Sequence, residues 1–214
     1  MLSIKKDQLA AMPAVEFPGR SIIVDTPAKA RDAIDYLMRQ PIVGFDTETR
    51  PSFRKGQNHQ VALLQLATPD ECFLIRLNII GMTEPIRHFL ESPDVLKVGL
   101  STKDDFHALR RLHEIEPRGF IELQSYVKDF DIADNSLQRI YGIIFGSRIS
   151  KAQRLTNWEA PELTPAQQRY ASIDAWACLR LYTYLKSGAF DKASSPYLVT
   201  PDADNDADKT IADA

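Results

Sequence analysis

Gly44-Phe45-Asp46-Thr47-Glu48-Thr49 follows the apolar pair Ile42-Val43 and stops at a break, Arg50-Pro51. Read as one strand over 42–49, it sends residues i and i+2 to the same face. Asp46 and Glu48 then project side by side from the end of a buried strand, with Thr47 turned the other way. Two unit charges ~4 Å apart repel by about 4 kcal/mol at an effective dielectric of ~20. The pair therefore needs either a proton on one carboxylate or a cation between them. Hard divalent ions such as Mg²⁺ take one or two carboxylates together with water and phosphate oxygens. The stretch reads as half of a metal site, and the rest of the chain has to supply the other half.

The chain has 214 residues, 44% hydrophobic and 26% charged, enough for one sizeable core. A net charge of -3 argues against a general nucleic-acid coat protein, though not against an enzyme with a local basic rim. Cys72 and Cys178 sit in apolar surroundings with no C-x-x-C pair, so buried free thiols are expected rather than a disulfide framework or a zinc site. No stretch approaches the ~18 apolar residues of a membrane span, and the N-terminus lacks a signal-like apolar segment, so no membrane partner and a cytoplasmic location are expected.

Residues 1–20, with Pro13 and Pro18, read as an arm before the domain. Ser21–Val24 is a short strand, and Thr26-Pro27 opens a helix with an apolar stripe through Ala30, Ala33, Ile34, Leu37 and Met38. After the 42–49 strand comes a basic loop (Arg50, Arg54, Lys55, Gly56). Val61–Ala67 follows, apolar almost throughout as in a strand buried on both faces. A turn at 68–71 and a strand at 72–75 complete a three-strand antiparallel meander. Helix 84–91, strand 95–99, helix 102–114, a short strand at 120–123 and helix 136–145 come next, then a polar, basic stretch with Arg148, Lys151 and Arg154. Thr164, Pro165 and Gln167 form a capping box for a helix running to Lys186, with Gly188 as its stop. Beyond Asp191 the chain is rich in Asp, Ala, Ser and Pro, and 191–214 is expected to be a disordered acidic tail. A meander followed by βα units predicts one α/β domain over 21–190, a mixed sheet flanked by helices.

The last helix holds Tyr170-Ala171-Ser172-Ile173-Asp174, whose Tyr170 and Asp174 share a face one turn apart. A further acid opens an earlier helix in Lys97-Val98-Gly99-Leu100-Ser101-Thr102-Lys103-Asp104-Asp105. With Phe45-Asp46-Thr47-Glu48, these stretches resemble, in order, the three exonuclease motifs of the DEDD superfamily in its tyrosine-bearing branch. That branch includes ribonuclease D, the proofreading domain of bacterial DNA polymerase I and the Werner-type exonucleases. The resemblance spans residues 21–187, and the segment from Asn157-Trp158 through Ala175 is most similar to the Werner-type and ribonuclease D-like members.

The resemblance implies a ribonuclease H-like fold and a 3′–5′ exonuclease that works with two divalent ions, Mg²⁺ or Mn²⁺. It implies Asp46, Glu48, Asp105 and Asp174 as the metal-binding acids and Tyr170 as the residue that orients the attacking water. One ion would be shared by Asp46, Glu48 and Asp174, and a second held by Asp46 with Asp105 acting through water. Family spacing favours Asp105 over Asp104, which then stabilises the helix N-terminus through the macrodipole. Thr47, Arg50, Arg54, Lys55, Lys151 and Arg154 are candidate nucleic-acid contacts, the basic ones as a phosphate-binding rim. Gln65 resembles a family position near the substrate. Trp158 is either a packing residue or a platform for a base. The four histidines, His59, His88, His107 and His113, show no ligand spacing. The expected substrate is a single-stranded or frayed 3′ end, with DNA marginally ahead of RNA, although no residue announces a contact to the 2′-hydroxyl. No helicase, polymerase or second helical nucleic-acid-binding domain fits in the remaining length, so the protein is expected either to stand alone or to be recruited to a protein partner through its acidic tail, with no oligomeric state implied. The alternative is a catalytically silent nucleic-acid- or partner-binding domain of the same fold.

Overall fold

A computed structural model describes residues 1–54, 56 and 58–199. In chain order the elements are α1 (Lys6–Ala10), β1 (Arg20–Val24), α2 (Pro27–Leu37), β2 (Ile42–Thr49), β3 (Val61–Ala67) and β4 (Glu71–Ile75). Then come α3 (Leu77–Ile80), α4 (Glu84–Glu91), β5 (Leu96–Gly99), α5 (Thr102–Leu112), β6 (Phe120–Glu122), α6 (Leu123–Tyr126), α7 (Leu137–Phe145) and α8 (Pro165–Lys186). The strands form one six-stranded sheet in the order β1-β4-β3-β2-β5-β6. Strands β2, β3 and β4 are the antiparallel meander, while β1 joins β4, and β5 and β6 extend β2, all in parallel.

Caps fix the two helices whose starts were most legible. Thr26 accepts the amide of Lys29 at the start of α2. Thr164 accepts the amide of Gln167, whose side chain accepts the amide of Thr164 in return. The sheet carries a core on each face. One is built from α2, α4 and α5 through Ile34, Leu37, Phe89 and Leu109 against Phe45, Leu64 and Leu66. The other is built from α7 and α8 through Ile140, Tyr141, Ala175 and Leu181 against Leu63, Ala67 and Leu74. All seven residues of β3 are buried, as its composition predicts.

The N-terminal arm is part of this second core. Leu2 and Ile4 are buried, Leu2 exchanges backbone hydrogen bonds with Asp131 and Ala133, and the buried Asp134 accepts the amide of Ile4 at 3.0 Å. The arm lay beyond the reach of periodicity because its apolar residues are few, prolines interrupt it, and their partners lie more than a hundred residues away. The expected disorder from 191 is corrected for 191–199. A 3₁₀ turn spans Lys192–Ser194, Lys192 pairs with Asp131, and Val199 donates to the carbonyl of Met1. Residues 200–214, the remainder of the acidic tail, lie outside the described residues, as does Lys55.

Two features of β2 position the site. Strand β5 pairs only with Ile42, Val43 and Gly44, so β2 runs on past it with one edge free from Phe45 onward. At Gly44 the backbone of α8 comes so close that an added Cβ would lie 1.9 Å from the carbonyl oxygen of Ala175. Gly44→Ala should therefore push α8 off the sheet. The expected loss is about 3 kcal/mol in urea unfolding, read as a lower midpoint at unchanged m-value; an unaltered midpoint would show that α8 is not held there.

Candidate active site

Alternation along β2 sends Asp46 and Glu48 toward α8 and Phe45 and Thr47 toward α5, as the pleat requires. Helix α8 brings Asp174 to the same spot. Asp46, Glu48 and Asp174 each offer a carboxylate oxygen, and these oxygens all lie within 4.8 Å of one another. Tyr170 stands one turn before Asp174 on α8 and is 9% exposed. Its ring packs against Trp158, centroid to centroid 6.0 Å.

Asp105 enters from the other side. Helix α5 starts just past the C-terminal end of β5, and its first turn overhangs the free edge of β2. There Thr47 donates its hydroxyl to the Asp105 carboxylate. Asp104 is exposed on the outer side of the same turn, so the fold brings Asp105, not its neighbour, to the acids. Sequence reasoning missed Glu122, which fixes this turn. Its carboxylate accepts from the amides of Ser101 (3.0 Å) and Thr102 (2.7 Å) and from the Thr102 hydroxyl (2.8 Å). Ser101 adopts a left-handed φ of 63° at the junction, a conformation that Asn or Gly would have signalled and Ser does not.

The electrostatics fit a cation site. Burial, then Asp174, Asp105 and Glu48 in turn, push the Asp46 carboxyl well above its usual range. Burial with Asp174 and Asp105 raises Glu48 to about 9, against a downward pull from Arg154. Burial raises Asp174 to about 7 despite its hydrogen bond from Tyr170 and the nearby Lys151. Burial raises Asp105 to about 6, the Thr47 hydrogen bond opposing and Asp104 and Glu122 adding. Burial and the surrounding carboxyls raise Tyr170, so its hydroxyl stays neutral and keeps its proton. Four acids that resist ionising together are a donor set short of positive charge, and divalent cations are the groups that such oxygens hold.

A cleft of about 380 Å³ opens onto these groups, lined by Asp46, Tyr170 and Asp174 with Ser101, Lys151 and Arg154. Lys151 and Arg154 thus belong to the same opening as the acids. Arg50 and Arg54 line a separate cleft of about 470 Å³ with Phe53, His59 and Leu155. Glu159 holds Arg50 at 3.2 Å and the His59 ring at 3.0 Å. The substrate-side reading of Gln65 is corrected, and Trp158 takes its packing alternative. Gln65 and Trp158 are each 0% exposed, so neither reaches a bound strand. Gln65 is inside because β3 is covered on both faces, and Trp158 because the segment before α8 folds back under Tyr170.

The raised carboxyl pKa values make metal-free stability depend on pH. Carboxyls whose folded pKa lies above the unfolded value keep protons that the unfolded chain has released, so stability falls as pH rises. The window runs from the ordinary carboxylate range through about 6, 7 and 9 for Asp105, Asp174 and Glu48. In EDTA the melting temperature should fall by about 3 °C or more between weakly acid and weakly alkaline buffer. Adding Mn²⁺ should restore most of it at the alkaline end; a flat profile in EDTA would overturn this account of the acids.

The comparisons with known proteins agree with this geometry. A family model described as 3′–5′ exonuclease matches residues 21–188. The chain is 28% identical over 194 residues to the mouse bifunctional 3′–5′ exonuclease/ATP-dependent helicase WRN, covering 86% of this chain and 14% of that protein. It is 25% identical over 190 residues to ribonuclease D of Gluconacetobacter diazotrophicus, covering 85% of this chain and 47% of the relative. The chain thus spans less than half the length of either relative. The exonuclease domain of Aedes aegypti Nibbler superposes with a TM-score of 0.71 at 22% identity, covering 84% of this chain and 96% of that one. Escherichia coli ribonuclease D superposes at 0.70 and 20% identity, covering 78% and 44%. These two likenesses show the shared ribonuclease H-like fold. With the family model covering all of the sheet but the first residue of β1, and all of the clustered acids, the chain belongs to the 3′–5′ exonuclease family.

Proposed function

We propose that this domain hydrolyses the terminal phosphodiester bond at a single-stranded or frayed 3′ end of nucleic acid and releases nucleoside 5′-monophosphates. The observation that carries the proposal is the trio of carboxylate oxygens of Asp46, Glu48 and Asp174 within 4.8 Å, beside the neutral hydroxyl of Tyr170. Two divalent ions, Mg²⁺ or Mn²⁺, would supply positive charge opposite the attacking oxygen and the leaving 3′-oxygen of an in-line displacement. Asp46, Glu48 and Asp174 would hold one of them, and Asp46 with Asp105 the other. Tyr170 packs against Trp158 and stands one helical turn before Asp174 on α8. It can orient the attacking water without adding negative charge. Lys151 and Arg154 line the opening where a phosphate would enter, and Arg50 and Arg54 extend the rim into the neighbouring cleft.

Among polar side chains that line the cleft, Ser101, Gln124, Ser136 and Gln138 are each engaged in hydrogen bonds within the protein. Asn135 and Ser150 also line it, and none of these side chains singles out a 2′-hydroxyl, so the proposal keeps DNA marginally ahead of RNA.

Purified protein with Mg²⁺ or Mn²⁺ should shorten a 5′-labelled oligonucleotide one nucleotide at a time. Asp46→Ala should lower the rate at least ~10²-fold, about 3 kcal/mol of transition-state stabilisation; full activity in that variant sinks the proposal. Tyr170→Phe should lose about 10²-fold in kcat while keeping metal affinity within about twofold, and equal loss of both makes it a structural residue. Binding of an oligonucleotide without any shortening would instead favour a catalytically silent domain. Matched DNA and RNA oligonucleotides digested side by side should show DNA cleaved slightly faster, and a strong preference for RNA would reverse the assignment of the sugar.

A further inference from the structure

Strand β3 reads Val61-Ala62-Leu63-Leu64-Gln65-Leu66-Ala67, all seven residues buried. Gln65 is its one polar member. It is 0% exposed, and neither its amide nitrogen nor its amide oxygen has a hydrogen-bond partner. A buried amide left unpaired costs about 1–3 kcal/mol for each unsatisfied group. A leucine in this strand would carry no such penalty, so packing does not explain the glutamine.

The sheet register says what Gln65 faces. Its cross-strand neighbours are Asp46 on β2 and Leu74 on β4. Directly opposed residues share a face with Cβ atoms about 4.5–5.5 Å apart, within the reach of a glutamine side chain. Of the two neighbours only Asp46 has an acceptor. Asp46 is also the acid whose charge is opposed by all three of the others.

We infer that Gln65 is a positioning residue for the metal site, donating its amide N–H to the Asp46 carboxylate when the acids hold a divalent ion. This rests on the metal-site reading proposed above and replaces a substrate contact with a role behind the site. Groups that hydrogen-bond metal-ligating carboxylates typically contribute 10–100-fold to metal affinity.

The test compares wild type with Gln65→Met, which keeps the length of the side chain and removes the donor. Mn²⁺ titration by calorimetry and by electron paramagnetic resonance should show affinity weakened about 10-fold or more. Urea unfolding in EDTA should show Gln65→Met as stable as wild type, or more so. In wild type, the Gln65 side-chain amide signal, assigned by its absence in the variant, should shift when Mg²⁺ is added. Mn²⁺ affinity within about twofold of wild type together with an unmoved amide signal overturns the inference and leaves the metal site standing. Failure of wild type to bind Mn²⁺ overturns both. If Gln65→Met does not fold, Gln65→Leu and the wild-type amide shift decide the question on the same criteria.

Discussion

Helix α8 lies against β2 with no room for a side chain at Gly44, where a Cβ would meet the Ala175 carbonyl at 1.9 Å. Most of the site's geometry descends from this approach. Gly44 is followed by Asp46 and Glu48 on the same face of the strand, and Ala175 is preceded by Asp174 on the helix. Bringing the two backbones together at that point brings the three carboxylates together beside it. Carboxylates do not seek one another; apolar packing on both sides holds them, through Ala171, Ala177, Cys178 and Leu181 on α8. The sheet and helix bear a repulsion that a bound cation would relieve.

The fourth acid reaches the site through a different device. Because β5 pairs with only the first residues of β2, the far end of β2 has an open edge, and the loop from β5 into α5 turns over it. The left-handed Ser101 and the carboxylate of Glu122 fix that turn, so the first turn of α5 presents Asp105 to Thr47 and turns Asp104 to solvent. This is the familiar advantage of the carboxyl ends of parallel strands, where loops meet helix N-termini over a gap in the sheet. It also separates Asp105 from the trio, on the far side of the β2 backbone.

Charge is distributed locally rather than globally. The chain is acidic overall, at a net -3, yet Lys151 and Arg154 are near enough to lower the carboxyls of Asp174 and Glu48. Both come from the segment between α7 and α8, which reaches the acids because Arg76, Asn78 and Gln167 tie its later part down. Arg76 donates to the Pro161 carbonyl at 3.3 Å, and Gln167 to Asn157 at 3.2 Å. A residue that caps a helix thus also seats the basic loop, and Trp158 between them packs against Tyr170.

The sequence by itself determined whatever local chemistry decides. The capped helices α2 and α8, the wholly apolar β3, the meander and the adjacency of Asp46 with Glu48 and of Tyr170 with Asp174 follow from period, caps and turns, which act over a few residues. The short elements α1, α3 and α6 escaped because four or five residues hold little more than one helical turn, too few for a pattern to repeat. The tertiary structure alone decided the rest. It buried the N-terminal arm, set Asp105 against the Thr47 hydroxyl, and carried Lys151 and Arg154 to the acids. It also placed Gln65 and Trp158 beneath the site instead of on its surface. The physical reason is the same for each. Burial depends on what the rest of the chain lays over a residue, and Gln65 and Trp158 are both covered by α8 with nothing in the covered sequence to announce it.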